Sequence, residues 1–286
     1  MGGRWDAGAK ATSQSRPVRT YPHGVPCWVD TEQPDVDAAL AFYGALFGWE
    51  FEDRLPPGTG ERYVVASLGG QDVAAVASGT GVPEWITYVA VDDVDASSRG
   101  VPDLGGEVLD GPTTIGPPGR LASVRDPQGA TFRLWQPGTR VGAQRVNEPG
   151  TWNFSVLHTP DVARALHFYG PLLGWEVEPE LGAGMARVQG YGDHLARTVY
   201  PEIDANQEGA PPGFRDVVAG VVEDGGPARH AVVFAVADRD AAAETAERAG
   251  ATVLSAEVGE WTREVTIRDP QGAVLTLSQF TPPEGF

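Results

Sequence analysis

Apolar positions recur along this chain in two rhythms, one of three to four residues and one of two. The first rhythm appears twice in nearly the same words. Between Pro34 and Glu50 (PDVDAALAFYGALFGWE), Val36, Leu40, Tyr43 and Phe47 fall three or four apart, which places them on one face of a helix. Asp35 follows a proline and can accept hydrogen bonds from the free amides of a first turn. Gly48 stands where a left-handed C-terminal residue is wanted, and Trp49 follows to pack back. The arrangement returns from Pro160 to Glu176 (PDVARALHFYGPLLGWE) at an offset of 126 residues (160 − 34), with Asp161, Gly174 and Trp175 in the same roles. Pro171 lies inside the second copy and predicts a kink in its last turn. A segment duplicated this closely implies two similar domains.

The period-two stretches are shorter. Gly24–Thr31, Arg62–Leu68, Val73–Ala77, Ile86–Val91 and Leu121–Val124 read as strands, and Ala130–Gln136 as a closing strand after the turn Asp126-Pro127-Gln128-Gly129. A crossing helix is expected between Asp93 and Gly106, shortened by Gly100 and Pro102. In the second half the pattern repeats. Strands are expected at Thr151–Thr159, Ala231–Val236, Arg263–Arg268 and Ala273–Gln279, a helix at Asp240–Ala249, and the turn again at Asp269-Pro270-Gln271-Gly272. Val91 matches Val236 at an offset of 145 (236 − 91), so the second half carries 19 more residues (145 − 126) after its helix. Their expected place is Tyr191–Arg229, either a tolerated surface loop or a lid or inter-domain contact. The expected organisation is a disordered tail at 1–22, domains at 23–137 and 151–282, and a polar linker at 138–150.

Composition narrows the function classes. The formal charge of −18 repels phosphate backbones and anionic lipid, so a nucleic-acid partner is not expected. No apolar run is long enough to span a membrane, and the basic N-terminal stretch lacks the apolar core of a secretory signal. Cys27 is the single cysteine, which rules out an internal disulfide and fits a reducing cytoplasm. It is expected to pack as a small hydrophobe. No G-x-S-x-G, Walker loop or complete G-x-G-x-x-G is present, Gly182-Ala183-Gly184 stopping short.

A strand, then D-x-x-x-A-x-x-F-Y-x-x-x-x-G-W, then further strands and a D-P-x-G-x-x-x-x-L ending resembles the vicinal-oxygen-chelate superfamily of glyoxalases, bleomycin-resistance proteins and extradiol dioxygenases. Asp35, Phe42, Tyr43, Gly48, Trp49 and the Asp126–Gly129 turn carry the resemblance in the first half. Asp161, Phe168, Tyr169, Gly174, Trp175 and the Asp269–Gly272 turn carry it in the second. It is most similar to tandem, two-domain actinobacterial members. The resemblance implies an α+β fold of paired βαβββ modules, each pair forming a curved sheet around a pocket. It also implies a divalent metal held by side chains from the first, fifth and last strands. Those positions fall on Trp28, Ile86 and Arg133 in one half and Phe154, Ala231 and Thr276 in the other, and none is a usual ligand of such an ion. No metal and no other cofactor is therefore expected. His158, His194 and His230 are not expected to converge, because His158 lies about 13 Å along its strand from position 154.

Strand alternation, taken with the resemblance, lines the first cup with Trp28, Asp30, Tyr88, Arg133 and Trp135, and the second with Trp152, Phe154, His158 and Thr276. An inward guanidinium needs a partner, so Arg133 is expected to meet Asp30 or Glu32, or an anionic or carbonyl-bearing ligand. The aromatic walls suit a flat ligand. The leading expectation is a metal-free protein that binds an aromatic or polycyclic metabolite, chiefly in the first cup, as a monomer with pseudo-twofold domains or as a homodimer. The alternatives are a metal-independent enzyme acting on such a metabolite, with Arg133 and Asp30 or Tyr88 as its groups, a metal-dependent lyase, epimerase or dioxygenase, and a structural or regulatory module whose pockets its own side chains fill.

Overall fold

The structure is a computed structural model, and it describes residues 17–58, 60–177 and 184–283. The first half runs β1 (Pro26–Gln33), α1 (Val36–Phe47), β2 (Glu50–Asp53), β3 (Tyr63–Leu68), β4 (Gln71–Ser78), β5 (Glu84–Ala90), α2 (Val94–Asp103), β6 (Glu107–Thr114), β7 (Gly119–Arg125) and β8 (Thr131–Pro137). The second half runs β9 (Trp152–Thr159), α3 (Val162–Leu173), β10 (Trp175–Val177), β11 (Met185–Val188), α4 (Tyr191–Thr198), α5 (Ile203–Asn206), β12 (Val217–Glu223), β13 (Arg229–Ala235), α6 (Arg239–Arg248), β14 (Thr252–Val258), β15 (Thr262–Arg268) and β16 (Val274–Phe280).

Each half forms one eight-stranded curved sheet, in the order β2-β3-β4-β1-β5-β8-β7-β6 and β10-β11-β12-β9-β13-β16-β15-β14. Two βαβββ modules meet in each at an antiparallel central pair, β1 with β5 and β9 with β13. Within a module the first strand lies parallel to a later one across the helix, as β1 does to β4 and β9 to β12. The architecture is thus α+β, in two tandem domains.

The duplicated helices end as their sequences dictate. Asp35 and Asp161 accept the amides of Ala38 and Arg164, while Gly48 and Gly174 adopt φ of 71° and 72°. Helix α3 runs through Pro171 to Leu173. The edge strands β2, β6, β10 and β14 escape the period-two reading because they are largely exposed and carry no apolar face to betray them. Strand β12 escapes it too, inside the stretch expected to be a loop, although residues 218–221 are buried. Most of the 19-residue surplus forms α4, α5 and a helical turn at Phe214–Asp216 in place of the two-glycine turn that joins β3 to β4.

The residues that carry the family resemblance hold the two halves together. Tyr43 of α1 donates to the Asp269 carboxylate of the opposite half at 2.6 Å, and Tyr169 of α3 donates to Asp126 at 3.1 Å. Each aspartate uses its other oxygen to accept the amides of its own D-P-Q-G turn. Gln271 and Gln128 then reach across to the backbone of Asp35 and Asp161. Trp49 donates to Gly150 O and Trp175 to Gly24 O, both at 2.7 Å. A Cβ at Gly24 would sit 1.9 Å from Leu173 O, so only glycine allows the N-terminal segment this close to α3. The large majority of buried polar groups are paired, and here many of the pairs span the joint.

Residues 17–22, expected in the tail, pack against the body: Tyr21 is buried and donates to Ala143 O at 2.6 Å. Residues 1–16 lie outside the described residues. The linker is likewise held down, with Ala143 N donating to Cys27 O and Gln144 N to Asp72 O. Cys27 is fully buried, and burial pushes its thiol well above the usual range. No helix among the described residues is long and apolar enough to cross a membrane.

Candidate functional site

The first cup gathers Trp28, Asp30, Tyr88, Arg133 and Trp135, and turns them on one another. Register places Trp28 opposite Tyr88 and Tyr88 opposite Arg133. Tyr88 donates to Asp30 at 2.5 Å, Tyr63 donates to the same carboxylate at 3.2 Å, and the Trp28 indole donates to Tyr63 at 3.0 Å. Arg133 meets Asp30 at 3.2 Å, donates to the Tyr88 hydroxyl at 2.7 Å and reaches Glu32 as well. Trp135 donates to Arg140 O, and the Arg140 guanidinium lies over the Trp28 ring at 5.2 Å. Asp30 is fully buried, and burial pushes its carboxyl above the usual range while Arg133 and Tyr88 pull it back. Trp28, Tyr88 and Trp135 are 3%, 4% and 6% exposed. The set forms a paired, solvent-shielded plug.

The second cup is different. It holds a cavity of about 1100 Å3 whose wall includes Phe154 and His158 of β9, Trp261 and Glu264 near and on β15, and Thr276 and Phe280 of β16. Residues 206–214 of the insertion supply another side, ending in Phe214. Trp261 and Phe280 stack at 6.3 Å, and Phe280 is 65% exposed, so this aromatic pair stands where the cavity meets solvent. A smaller cavity of about 390 Å3 shares Asn153, Thr262, Ser278 and Phe280 with it.

Among the sequence-proposed residues, Phe154, His158 and Thr276 line this cavity. Trp152 does not: it is buried, and its indole donates to Phe154 O. Strict alternation fails there because β9 bulges between Trp152 and Phe154, which pair with successive residues Phe234 and Val233 of β13. Trp261, Phe280, Phe214 and Glu264 were not singled out from sequence. Phe214 sits in the insertion and Trp261 in the turn between β14 and β15, where no apolar period marks a face.

The His158 ring is fixed by a neighbour that sequence spacing could not reveal. Its Nδ1 lies 2.7 Å from Asp224 Oδ2, just beyond the end of β12, where the parallel pairing of β9 with β12 brings His158 level with Val222. Asp224 is held in turn by the Gly226 amide at 2.9 Å. The hydrogen bond to His158, followed by that amide, holds the Asp224 carboxyl below the usual range.

Neither cup fits the divalent metal that the superfamily's usual sites hold. Register corrects the fifth-strand positions: Tyr88 and Val233, not Ile86 and Ala231, share the level of Trp28 and Phe154. The converging sets are therefore Trp28, Tyr88 and Arg133, and Phe154, Val233 and Thr276, which offer no group of hard or borderline donors. Among the described residues no cluster of three or more His, Cys, Asp or Glu side chains is placed to hold an ion. His194 bonds to Thr20, and His230 lies on the reverse face of the sheet against Tyr169.

Two family models match the chain, one described as a glyoxalase-like domain over residues 154–278 and one as the Glyoxalase/Bleomycin resistance protein/Dioxygenase superfamily over residues 33–134. The chain is 38% identical over 274 residues to the protein named "Putative glyoxylase CFP32" of Mycobacterium tuberculosis, covering 92% of this chain and 97% of that one. It is 32% identical over 281 residues to the anthracycline biosynthesis protein DnrV of Streptomyces peucetius, covering 92% and 95%. Among solved structures, the Mn(II)-bound glyoxalase of Novosphingobium aromaticivorans shares the fold with a TM-score of 0.56 at 16% identity, covering 90% of this chain and 82% of that one. The 2,3-dioxygenase LapB of a Pseudomonas does so at 0.55 and 12%, covering 94% and 95%. With a matching model in each half and relatives this similar over nearly the full length, the chain belongs to the Glyoxalase/Bleomycin resistance protein/Dioxygenase superfamily and carries two such domains in tandem.

Proposed function

We propose that the protein binds a small aromatic or polycyclic metabolite in its second cup, without the metal that the superfamily's usual triad would hold. The observation that carries this reading is the cavity of about 1100 Å3 walled by Phe154, Phe214, Trp261 and Phe280, with Phe154, Val233 and Thr276 standing at the positions of the triad. Ligand pockets run to about 1000 Å3 and combine apolar walls with a few placed polar groups, so this one has room for several fused rings. Rings such as Phe154 and Trp261 hold flat ligands by offset or edge contact. The likeness to an anthracycline biosynthesis protein supports a place in secondary metabolism.

Planar aromatic compounds should quench Trp261 fluorescence, and Trp261→Phe should remove that component while Phe154→Ala weakens binding about tenfold. Quenching unchanged by both substitutions would refute the assignment to this cup. A second reading, a metal-independent enzyme, is favoured by the His158–Asp224 pair in the wall. A metal-dependent lyase, epimerase or dioxygenase would instead retain stoichiometric Ni, Zn, Fe or Mn when purified without chelator, and that result would overturn both readings.

A further inference from the structure

The His158–Asp224 pair has a direction. An ionised carboxylate can only accept, so Asp224 assigns the proton to Nδ1 and leaves the Nε2 lone pair as the unbonded face of the ring. No described residue hydrogen-bonds to Nε2, His158 lines the cavity, and its side chain is 23% exposed. A ring nitrogen that is basic, oriented from behind and open in front has the geometry of a general base.

The charges around it are few. Asp224 is in contact, Arg229 of β13 bonds the same carboxylate at 3.4 Å, and the buried His230 follows Arg229 on the opposite face. The carboxylate of Glu264 stands at the other end of the cup. Arg229 is level with His158, whereas Glu264 is level with Ser278 and hence with Ala235, six residues further along β13 (235 − 229). That is about 20 Å along the strand at the usual rise. An anion formed beside His158 would therefore lie next to the new imidazolium, with the two carboxylates of the cavity wall, Glu264 and its cross-strand neighbour Glu257, remote.

We propose that His158, held by Asp224, is a general base at one pole of the second cup and takes the proton of a phenolic or enolic hydroxyl on the aromatic ligand. This rests on the second cup being the binding site. In the step the ligand O–H bond breaks, its electron pair stays on oxygen, and an N–H bond forms at Nε2. Asp224 remains ionised and balances the imidazolium, so no oxidant, reductant or further reactant is consumed. The product is an electron-rich phenolate or enolate held among largely apolar walls. Asp224 is a positioning residue, because it acts only through His158.

The test uses the full chain and two coumarins, umbelliferone, whose phenolate absorbs at longer wavelength than the phenol, and its methyl ether, which has no proton to give. Equilibrium dialysis reads binding, and absorption reads the protonation state of the bound probe at a pH where free umbelliferone is neutral. Both probes should bind, and only umbelliferone should develop the phenolate band. His158→Gln should still bind umbelliferone but leave it neutral, and Asp224→Asn should cut the bound phenolate fraction about tenfold, the loss expected for a charge-assisted hydrogen bond. Bound umbelliferone that stays neutral in the unsubstituted protein, or a band that survives His158→Gln, would overturn the proposal and leave the binding site standing. Failure of both probes to bind would sink the reading of the second cup, and the base with it.

Discussion

Replacing His230 by glutamine should flatten part of the pH dependence of stability. Tyr169 donates its proton to Asp126, so the Tyr169 oxygen must receive the Nε2–H of His230, as the Tyr43 oxygen receives the indole N–H of Trp85 in the other half. His230 Nδ1 is then a bare lone pair, buried beside Phe132 with no partner among the described residues. Burial, with a smaller push from His158, lowers the pKa of the ring from 6.5 to about 4. The unfolded chain thus takes up a proton near pH 6.5 and the folded chain only near pH 4. This group's contribution is complete above the first value, declines as pH falls between the two, and changes no further below the second. The gap of about 2.5 units corresponds to about 3 kcal/mol at ~1.4 kcal/mol per unit. Urea unfolding at a series of pH values, for the wild type and for His230→Gln, which keeps a donor for Tyr169, isolates the effect. The wild type should lose about 3 kcal/mol more than the variant across that interval. Curves that fall in parallel would mean the imidazole binds its proton as readily folded as unfolded, and the neutral-donor assignment would be refuted.

Arg133→Met should cost about 3–5 kcal/mol in calorimetric stability, because it strands the buried Asp30 carboxylate, and the double variant with Asp30→Leu should recover most of it. Tyr43→Phe should cost about 1–2 kcal/mol, since it removes one of the two donors, Tyr43 and Gln33, that Asp269 accepts from across the joint, and chemical denaturation reads the loss. Ser278→Trp should narrow the second cavity and abolish quenching of Trp261 by planar aromatics; undiminished quenching would place the ligand elsewhere.

Much of the fold was legible because the duplicated helix announces itself through periodicity and caps. Val36, Tyr43 and Phe47 fall on one buried face, and Asp35 and Gly48 end the helix by chemistry that is local in sequence. Most strands buried on one or both faces are legible for the same reason, but Val217–Glu223 is not, because its apolar run is continuous, holds Gly220 and follows the insertion without any alternation. Exposed edges such as Glu107–Thr114 carry no alternation and went unseen. The site was less legible, because a cavity depends on register and on what is not there. The bulge that removes Trp152 from the cup and the crossing that brings Asp224 to His158 both arise from pairings between residues far apart in the chain. The aromatic positions of the first cup were readable, but their abundance points the other way from a reading in which rings mean ligand contacts. Large side chains with mutual hydrogen bonds fill a cup before they can line one.

That inversion explains how one duplicated fold came to hold one plugged cup and one open one. The repeat pairs Trp28 with Phe154, Asp30 with Val156 and Glu32 with His158, while strand register pairs Tyr88 with Val233, Arg133 with Thr276 and Trp135 with Ser278. At five of these six positions the second half carries a smaller side chain or one without charge, and at the sixth, Glu32 gives way to His158. The first cup cannot lose one member alone, because Arg133, Asp30, Tyr88 and Glu32 satisfy one another and a buried charge without its partner is costly. In the second cup that network is gone as a unit, and what remains is a largely apolar wall, open volume, an oriented imidazole at one end and the carboxylates of Glu257 and Glu264 at the other. The two cups therefore differ in what fills them. The first contributes a rigid, fully paired body, and the joint of Tyr43, Asp269, Tyr169 and Asp126 fastens that body to the half in which side chains have been cut back to make room.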